Sequence, residues 1–124
     1  MDQESSQRQK IVASFFDLLA KNEAEAAIEI IFSDMSAWIP KESTVQMRQQ
    51  ISSLDEYLGD FIGYEHLGDI KVAKRYVLSN YFCYYERQPI LYEFTFYRPD
   101  TTWRVQNLNF KTEFESLIAR ASME

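Results

Sequence analysis

A change of hydrophobic periodicity near the middle of the chain constrains the fold more than any other feature. From about Gly68 to Phe110, apolar residues alternate with polar ones instead of recurring at helical spacing. Alternation of this kind is typical of strands that bury one face. The strongest stretch, Pro89 to Pro99 followed by Trp103 to Val105, predicts the central hairpin of a curved antiparallel sheet.

Three tight turns assign these residues to two faces, because a hairpin turn decides which residues lie opposite one another. We predict the turns at Ser79-Asn80, Arg87-Gln88 and Pro99-Asp100. The residues predicted to face the core are Ile70, Val72, Tyr76, Leu78, Tyr81, Cys83, Tyr85, Ile90, Tyr92, Phe94, Phe96, Trp103 and Val105. The residues predicted on the opposite face are Ala73, Arg75, Val77, Phe82, Tyr84, Glu86, Leu91, Glu93, Thr95, Tyr97, Arg104 and Gln106.

The last predicted strand needs an irregularity. Leu108 and Phe110 have the wrong parity to share a face with Val105. A β-bulge near Gln106-Asn107 would return both residues to the core face and bend the strand. The pattern therefore predicts a sheet that curls around a cavity.

The first half of the chain predicts helices. An apolar stripe at helical spacing predicts a first helix from about Ser5 to Lys21, which Asn22 ends in the left-handed conformation. The apolar face of a second helix is Ala24, Ala27, Ile28, Ile31 and Phe32.

Two further helices follow from local signals. Ser43 and Gln46 have the spacing of a capping box, which predicts a third helix from about Thr44 to Leu58, closed by Gly59. An apolar stripe predicts a short closing helix from Thr112 to Met123. The fold class expected is therefore α+β, with three N-terminal helices in the concave face of a curved four-stranded antiparallel sheet and a short C-terminal helix.

Composition limits the classes of function. The 124 residues predict one domain over residues 1–124, and the formal charge of −6 argues against a nucleic-acid partner, which would require a clustered basic face. Cys83 and His66 are the single cysteine and the single histidine, so we predict no internal disulfide, metal site or cofactor. Without an apolar run of ~20 residues or a leader pattern, the chain is expected to be cytoplasmic and not membrane-bound. It would be periplasmic or secreted if a signal peptide had been removed ahead of Met1.

The predicted faces define two candidate sites. The residues expected to line a ligand pocket are Trp38, His66, Tyr76, Cys83, Tyr92 and Trp103. The residues expected to form a dimer face are Val77, Phe82, Tyr84, Leu91 and Arg104, because contiguous apolar surface on an exposed face indicates association. Glu93 and Arg104 are expected to form an ion pair across neighbouring strands beside that face.

Two alternatives remain open for the chemistry. His66, with Glu65 and Asp69 nearby, is either the base of an acid–base pair or an ordinary surface histidine. The hydroxyls of Tyr76, Tyr81, Tyr85 and Tyr92 either point into the cavity as donors to an oxyanion or belong to core tyrosines.

The chain resembles a known superfamily in its pattern. Gly63 to Gly68, the run Tyr84 to Ile90, and Phe94 to Pro99 with Trp103 to Asn107 carry the resemblance. Three helices followed by a four-stranded meander with a bulged last strand resemble the nuclear transport factor 2-like superfamily of cone-shaped, cystatin-like domains, and most of all its small bacterial members of unassigned function. The resemblance implies a pocket at the open end of the cone and dimerisation through the outer face of the sheet.

Enzymes of that superfamily, such as ketosteroid isomerases, scytalone dehydratase and limonene epoxide hydrolase, place acid–base residues inside the cone. Their signature residues are absent from this sequence, and a shared fold does not transfer activity. The sequence therefore favours a noncatalytic domain that binds a small apolar or aromatic ligand and forms a homodimer. The alternative is a small acid–base enzyme, of isomerase, dehydratase or hydrolase type, that uses pocket tyrosines with His66 or a carboxylate.

Overall fold

Three helices precede a four-stranded antiparallel sheet. The computed structural model describes residues 3–32 and 41–113. The helices are α1 (Gln3–Ala20), α2 (Ala24–Phe32) and α3 (Lys41–Leu58), and the strands are β1 (Phe61–Ala73), β2 (Tyr76–Tyr85), β3 (Pro89–Tyr97) and β4 (Arg104–Lys111). The strands lie in the order β1-β2-β3-β4. The α+β class is confirmed, whereas Trp38 and the predicted closing helix beyond Glu113 lie outside the described residues.

The junction of α1 and α2 follows the prediction. Asn22 has a φ of 61°, the left-handed value that ends a helix. The apolar stripe of α1 is the inner side of the helix, since Val12, Phe15, Phe16 and Leu19 are each 1 % exposed or less. Helical spacing alone was therefore sufficient to identify the face of α1 that packs on the core.

The start of α3 differs from the prediction, whereas its end agrees. The helix already includes Lys41, so Ser43 lies inside it and the predicted capping box is wrong. Gly59 ends the helix with a φ of 85°. A Cβ atom on Gly59 would lie 2.7 Å from Oε1 of Glu86, the atom that accepts a hydrogen bond from the Asp60 backbone N–H at 2.8 Å. The end of α3 is thereby fitted closely against the turn after β2.

The first predicted turn is wrong. β1 and β2 are joined at Lys74-Arg75, and Ser79 and Asn80 lie inside β2. Asn80 pairs there with Gly68 of β1 and Glu93 of β3. The Ser-Asn turn preference is local and weak, and pairing of a long strand with two neighbours overrides it.

This error reverses the predicted faces of Ile70, Tyr76, Val77 and Leu78. Val77, expected on the outer face, is 3 % exposed in the core, and Tyr76, expected in the pocket, points to the other face and is 37 % exposed. Ile70 and Val72, expected inside, are 57 % and 58 % exposed. The physical reason is the two-residue period of a strand. Without a turn at Ser79-Asn80, the residues just before it continue the alternation of β2, so their predicted faces are exchanged.

The later register keeps the predicted faces. Cys83 pairs with Ile90 instead of Tyr92, but a shift of two residues leaves both side chains on the core face. Phe96 pairs with Val105 and Thr95 with Asn107, so Gln106 is the extra residue of a bulge. The predicted bulge is confirmed, and it places Leu108 in the core at 0 % exposure.

Helix α1 packs on one face of the sheet, called here the core face. The ring of Phe15 makes edge-to-face contacts with Tyr92 and Phe94, at centroid distances of 5.7 and 5.5 Å. Tyr92, Phe94 and Phe96 are all 0 % exposed. Each fully buried aromatic side chain of this kind contributes roughly 1.5–3 kcal/mol, so the centre of the molecule is a packed aromatic core.

Candidate functional site

The predicted pocket residues do not come together around one cavity. Cys83 and Tyr92 are 0 % exposed, Trp103 is 2 % exposed, and Tyr76 lies on the opposite face. The hydroxyls of Tyr85 and Tyr92 lie 3.4 Å apart inside the core, as expected for core tyrosines. His66 is the described pocket candidate that lies beside an open groove with other aromatic side chains.

That groove, called here the α1 groove, runs between α1 and the first two strands. It has a volume of about 370 Å³ and opens to solvent. The residues that line it are Ser6, Gln9, Lys10, Val12, Ala13, Tyr64, His66 and Tyr81. One wall is therefore helical and mixed in polarity, and the other is an aromatic surface on the sheet.

Stacking holds the aromatic wall in place. The ring of His66 lies parallel to that of Tyr81, with 4.5 Å between centroids and 15° between planes. Tyr64 stacks on Phe16 of α1 at 4.3 Å. Since Phe16 is 1 % exposed, the Tyr64 ring is supported from the core side. A planar ligand would meet rings that are already oriented, which reduces the entropy lost on binding.

A bulge in β1 places an acidic residue beside His66. His66 pairs with Tyr81 and Asp69 pairs with Ser79, so all four side chains lie on the core face. Residues three apart in a regular strand point to opposite faces, and the register shift between His66 and Gly68 removes that difference. As a result, Nε2 of His66 and Oδ1 of Asp69 are 2.8 Å apart.

Arg8 supports Asp69 from the helix side. Its Nη2 lies 3.6 Å from Oδ2 of Asp69, and its guanidinium lies over the Trp103 ring at 4.7 Å. Gln7 beside it accepts a hydrogen bond from the Trp103 backbone N–H at 3.1 Å. These contacts connect α1 to β1 and to the β3–β4 connection, so Asp69, which holds His66 of the groove wall, is itself supported from α1.

Burial, hydrogen bonds and charges in this cluster shift two pKa values. Burial acts to raise the pKa of Asp69, but hydrogen bonds from Ser79 and His66 and the charges of His66 and Arg8 act against it and leave it below the ordinary 3.8. Burial, together with Asp69 and Tyr64, raises the pKa of Tyr81 to about 12. At neutral pH Asp69 is therefore ionised, and Tyr81 keeps its proton as a hydrogen-bond donor.

Sequence reasoning missed Arg8 and Tyr64. Arg8 lies four residues before Val12 on the buried stripe of α1, and it is itself 7 % exposed. A charge at a core position of an amphipathic helix is the signal that could have identified it. Tyr64 had no such signal, because the start of β1 at Phe61 was not predicted.

A larger depression, of about 500 Å³, lies at the junction of α1 and α2. Its lining includes Glu23, Glu25 and Glu29, and none of the described residues that line it is aromatic. No group of three or more histidine, cysteine or acidic residues that could hold a metal ion occurs in residues 3–32 and 41–113. The carboxylates in this depression do not converge on one point and are typical of a solvent-exposed surface. The smaller α1 groove is therefore the better candidate for a ligand site.

The opposite side of the sheet, called here the outer face, carries most of the predicted dimer residues. Phe82, Tyr84 and Arg104 are partly exposed, Leu91 is 7 % exposed, and Val77 is on the core face instead. Ile70, Tyr76 and Leu78 join this face, which is therefore more apolar than predicted.

Polar contacts lie at the margins of the outer face. The Tyr84 hydroxyl donates to Oε1 of Glu65 at 2.7 Å, and this bond is the main cause that raises the pKa of Tyr84. Glu93 pairs with Nζ of Lys111 at 3.7 Å, so the ion-pair partner predicted from the sequence, Arg104, is wrong. Arg104 lies over the Tyr97 ring at 5.7 Å.

Comparisons with known proteins identify no relative. No protein-family model, no curated protein and no solved structure matches this chain. Among the described helices, none is long and apolar enough to cross a bilayer. Function is therefore argued from the geometry of the α1 groove and the outer face.

Proposed function

We propose that this protein is a noncatalytic domain that binds a small apolar or aromatic ligand in the α1 groove and forms a homodimer through its outer face. The observation that carries the proposal is the oriented aromatic wall of Tyr64, His66 and Tyr81 in an open groove of about 370 Å³. A concave site lined by rigid aromatic rings with a few polar groups is the usual form of a small-molecule site.

The order of elements supports a place in the nuclear transport factor 2-like superfamily. Three helices followed by a four-stranded antiparallel sheet with a bulged last strand is the arrangement expected there. The binding site proposed differs from the expected one, because the middle of the core face is filled by Phe94, Phe96 and Trp103. The ligand is proposed to lie beside α1.

A second candidate function rests on His66 and Asp69. Nε2 of His66 faces the ionised Asp69 at 2.8 Å, an arrangement that holds the imidazole in one orientation and leaves Nδ1 as a base. Tyr81, which keeps its proton, would supply the acid. An acid–base enzyme of isomerase or dehydratase type would use these three groups.

The homodimer is proposed through the outer face because the apolar residues there are contiguous across strands. Ile70 pairs with Leu78, and Phe82 pairs with Leu91, on the same side of the sheet. The edge strand β1 has register shifts at three places, and bulges of that kind prevent strand-to-strand pairing. Face-to-face packing is therefore the mode of association proposed.

Binding in the α1 groove is tested by ligand-observed nuclear magnetic resonance with a library of small aromatic molecules. Ala13 lines the groove, so Ala13→Phe should fill it without removing a core contact and should abolish binding. Tyr64→Ala should weaken binding about fivefold, since one aromatic contact contributes roughly 1 kcal/mol. Tyr57→Ala is the matched control, because Tyr57 is 70 % exposed on α3.

The outcomes separate the candidates. Fragments that bind the wild type and the Tyr57→Ala variant, but not Ala13→Phe, support the binding domain. If no fragment is sensitive to Ala13→Phe, the α1 groove is not the site. Deuterium incorporation into a bound ligand in D2O that is lost in His66→Gln would favour the enzyme, because it requires a base that removes a carbon-bound proton.

A further inference from the structure

The charges around the α1 groove allow a narrower statement about its ligand, which rests on the function proposed above. Lys10 lines the groove from α1, next to Gln9 and Ser6. Arg8 lies one residue from Gln9 but is turned inward and 7 % exposed, with its charge directed to Asp69. Among the described residues that line the groove, Lys10 is therefore the positively charged one available to a ligand.

The nearby negative charges are already compensated. Asp69 accepts a hydrogen bond from His66 and pairs with Arg8. Glu65 neighbours His66 in sequence, but it lies on the outer face and accepts a hydrogen bond from Tyr84. Among the residues that the structure describes, the groove thus has one uncompensated positive charge, on a chain whose formal net charge is −6.

We infer that the ligand of the α1 groove is an aromatic monocarboxylate, whose ring stacks on the wall of Tyr64 and His66 and whose carboxylate pairs with Lys10. One uncompensated cation matches a monoanion, whereas a phosphate dianion would require a second one. The Gln9 amide and the Ser6 hydroxyl, which also line the groove, supply hydrogen-bond donors for the second carboxylate oxygen. An aromatic amine would instead meet Lys10 as a like charge.

Three probes of the same shape test the inference: 2-naphthoate, 2-naphthamide and 2-naphthylmethylamine, which are anionic, neutral and cationic at pH 7. Affinities are measured by fluorescence titration at low salt. We expect 2-naphthoate to bind about fivefold more tightly than the amide, as an exposed charged pair allows. The preference should shrink in 0.5 M NaCl, because salt screens a partly exposed pair.

Two lysine variants provide the matched comparison. Lys10→Gln should bring 2-naphthoate to the affinity of the amide, whereas Lys21→Gln should keep the preference, because it changes the net charge equally but lies just beyond the far end of α1. A preference that persists in Lys10→Gln, or disappears equally in both variants, overturns the inference.

The remaining outcomes distinguish this inference from the proposed function. If the amide or the amine binds as tightly as 2-naphthoate, and Ala13→Phe blocks all three, the α1 groove remains a ligand site and the monocarboxylate is wrong. If no probe binds, or if Ala13→Phe changes none of the affinities, the α1 groove is not a binding site and both proposals fail.

Discussion

At the scale of single residues, Arg8 links the packing of α1 to the residues beside the α1 groove. Arg8 is buried between the carboxylate of Asp69 and the ring of Trp103. Removing one partner of such a pair leaves the other without compensation, which costs more than the pair contributes. The residues that orient His66 are therefore also residues on which the packing of α1 depends.

The lowered pKa of Asp69 makes stability depend on pH. Because the folded state holds the pKa of Asp69 below its ordinary 3.8, its contribution is present above about pH 4 and is lost as the pH falls through the folded value. Asp69→Asn should therefore lower the free energy of unfolding at pH 7 by about 1 kcal/mol. The difference from wild type should narrow between about pH 4 and pH 2.

Urea unfolding at a series of pH values measures this effect. Asp17→Asn is the control, because it removes an exposed carboxylate on α1. This variant should keep the pH dependence of the wild type. An Asp69→Asn variant that follows the wild type at every pH would show that the contacts of Asp69 contribute nothing to stability.

At the scale of elements, the turns determine which faces meet. Ser79-Asn80 has the composition of a turn, yet it lies in the middle of β2, paired on both sides. Lys74-Arg75, where the chain does reverse, carries no turn signal of its own. The pairing of β1 with β2 along its whole length determined that the turn lies at Lys74-Arg75. The turn preference of Ser79-Asn80 was too weak to oppose that pairing.

The junction of α3 with β1 is the place where a single methyl group should have the largest effect on an element. Gly59→Ala combines a left-handed φ of 85° with a Cβ atom 2.7 Å from Oε1 of Glu86. We expect a loss of about 2–3 kcal/mol, from the backbone strain and from displacement of the Glu86 bond to Asp60.

Gly63→Ala is the matched control for the junction. No atom lies within 4 Å of a Cβ atom at Gly63, and its φ is not in the left-handed region. The free energy of unfolding of that variant should lie within about 0.5 kcal/mol of the wild-type value, because its folded state accommodates the methyl group. Equal urea midpoints for the two variants would contradict the close fit described for Gly59.

At the scale of the whole molecule, the proposed dimer makes a prediction about the oligomeric state. We expect the wild type to have twice its chain mass of 14.7 kDa in light scattering. Phe82→Glu should yield the monomer with an unchanged circular dichroism spectrum, because Phe82 is partly exposed and a charge there opposes apolar association. Leu91 is less suitable for this test, since it is 7 % exposed and a glutamate there would also disturb folding.

Ile30→Glu provides the control for the dimer. Ile30 is 47 % exposed on α2, so the substitution adds the same charge on the helical side of the molecule. That variant should remain dimeric. A wild type that is monomeric at about 100 µM, or an Ile30→Glu variant as monomeric as Phe82→Glu, would show that the outer face is not the interface.

The sequence by itself determined the features that depend on local periodicity. The stripe of α1, the left-handed Asn22 and Gly59, the antiparallel strands and the bulge at Gln106 were all readable from spacing and residue type. These features are local because each depends on residues within a turn of helix or a short stretch of strand.

Only the tertiary structure decided which residues meet. The position of the first hairpin turn determined the faces of Ile70 and Val77, and the register shift after His66 brought Asp69 beside it. The burial of Arg8 against Trp103 depends on residues far apart in the chain. Strand parity and long-range contacts follow from the free energy of the whole packed sheet, which no local pattern contains.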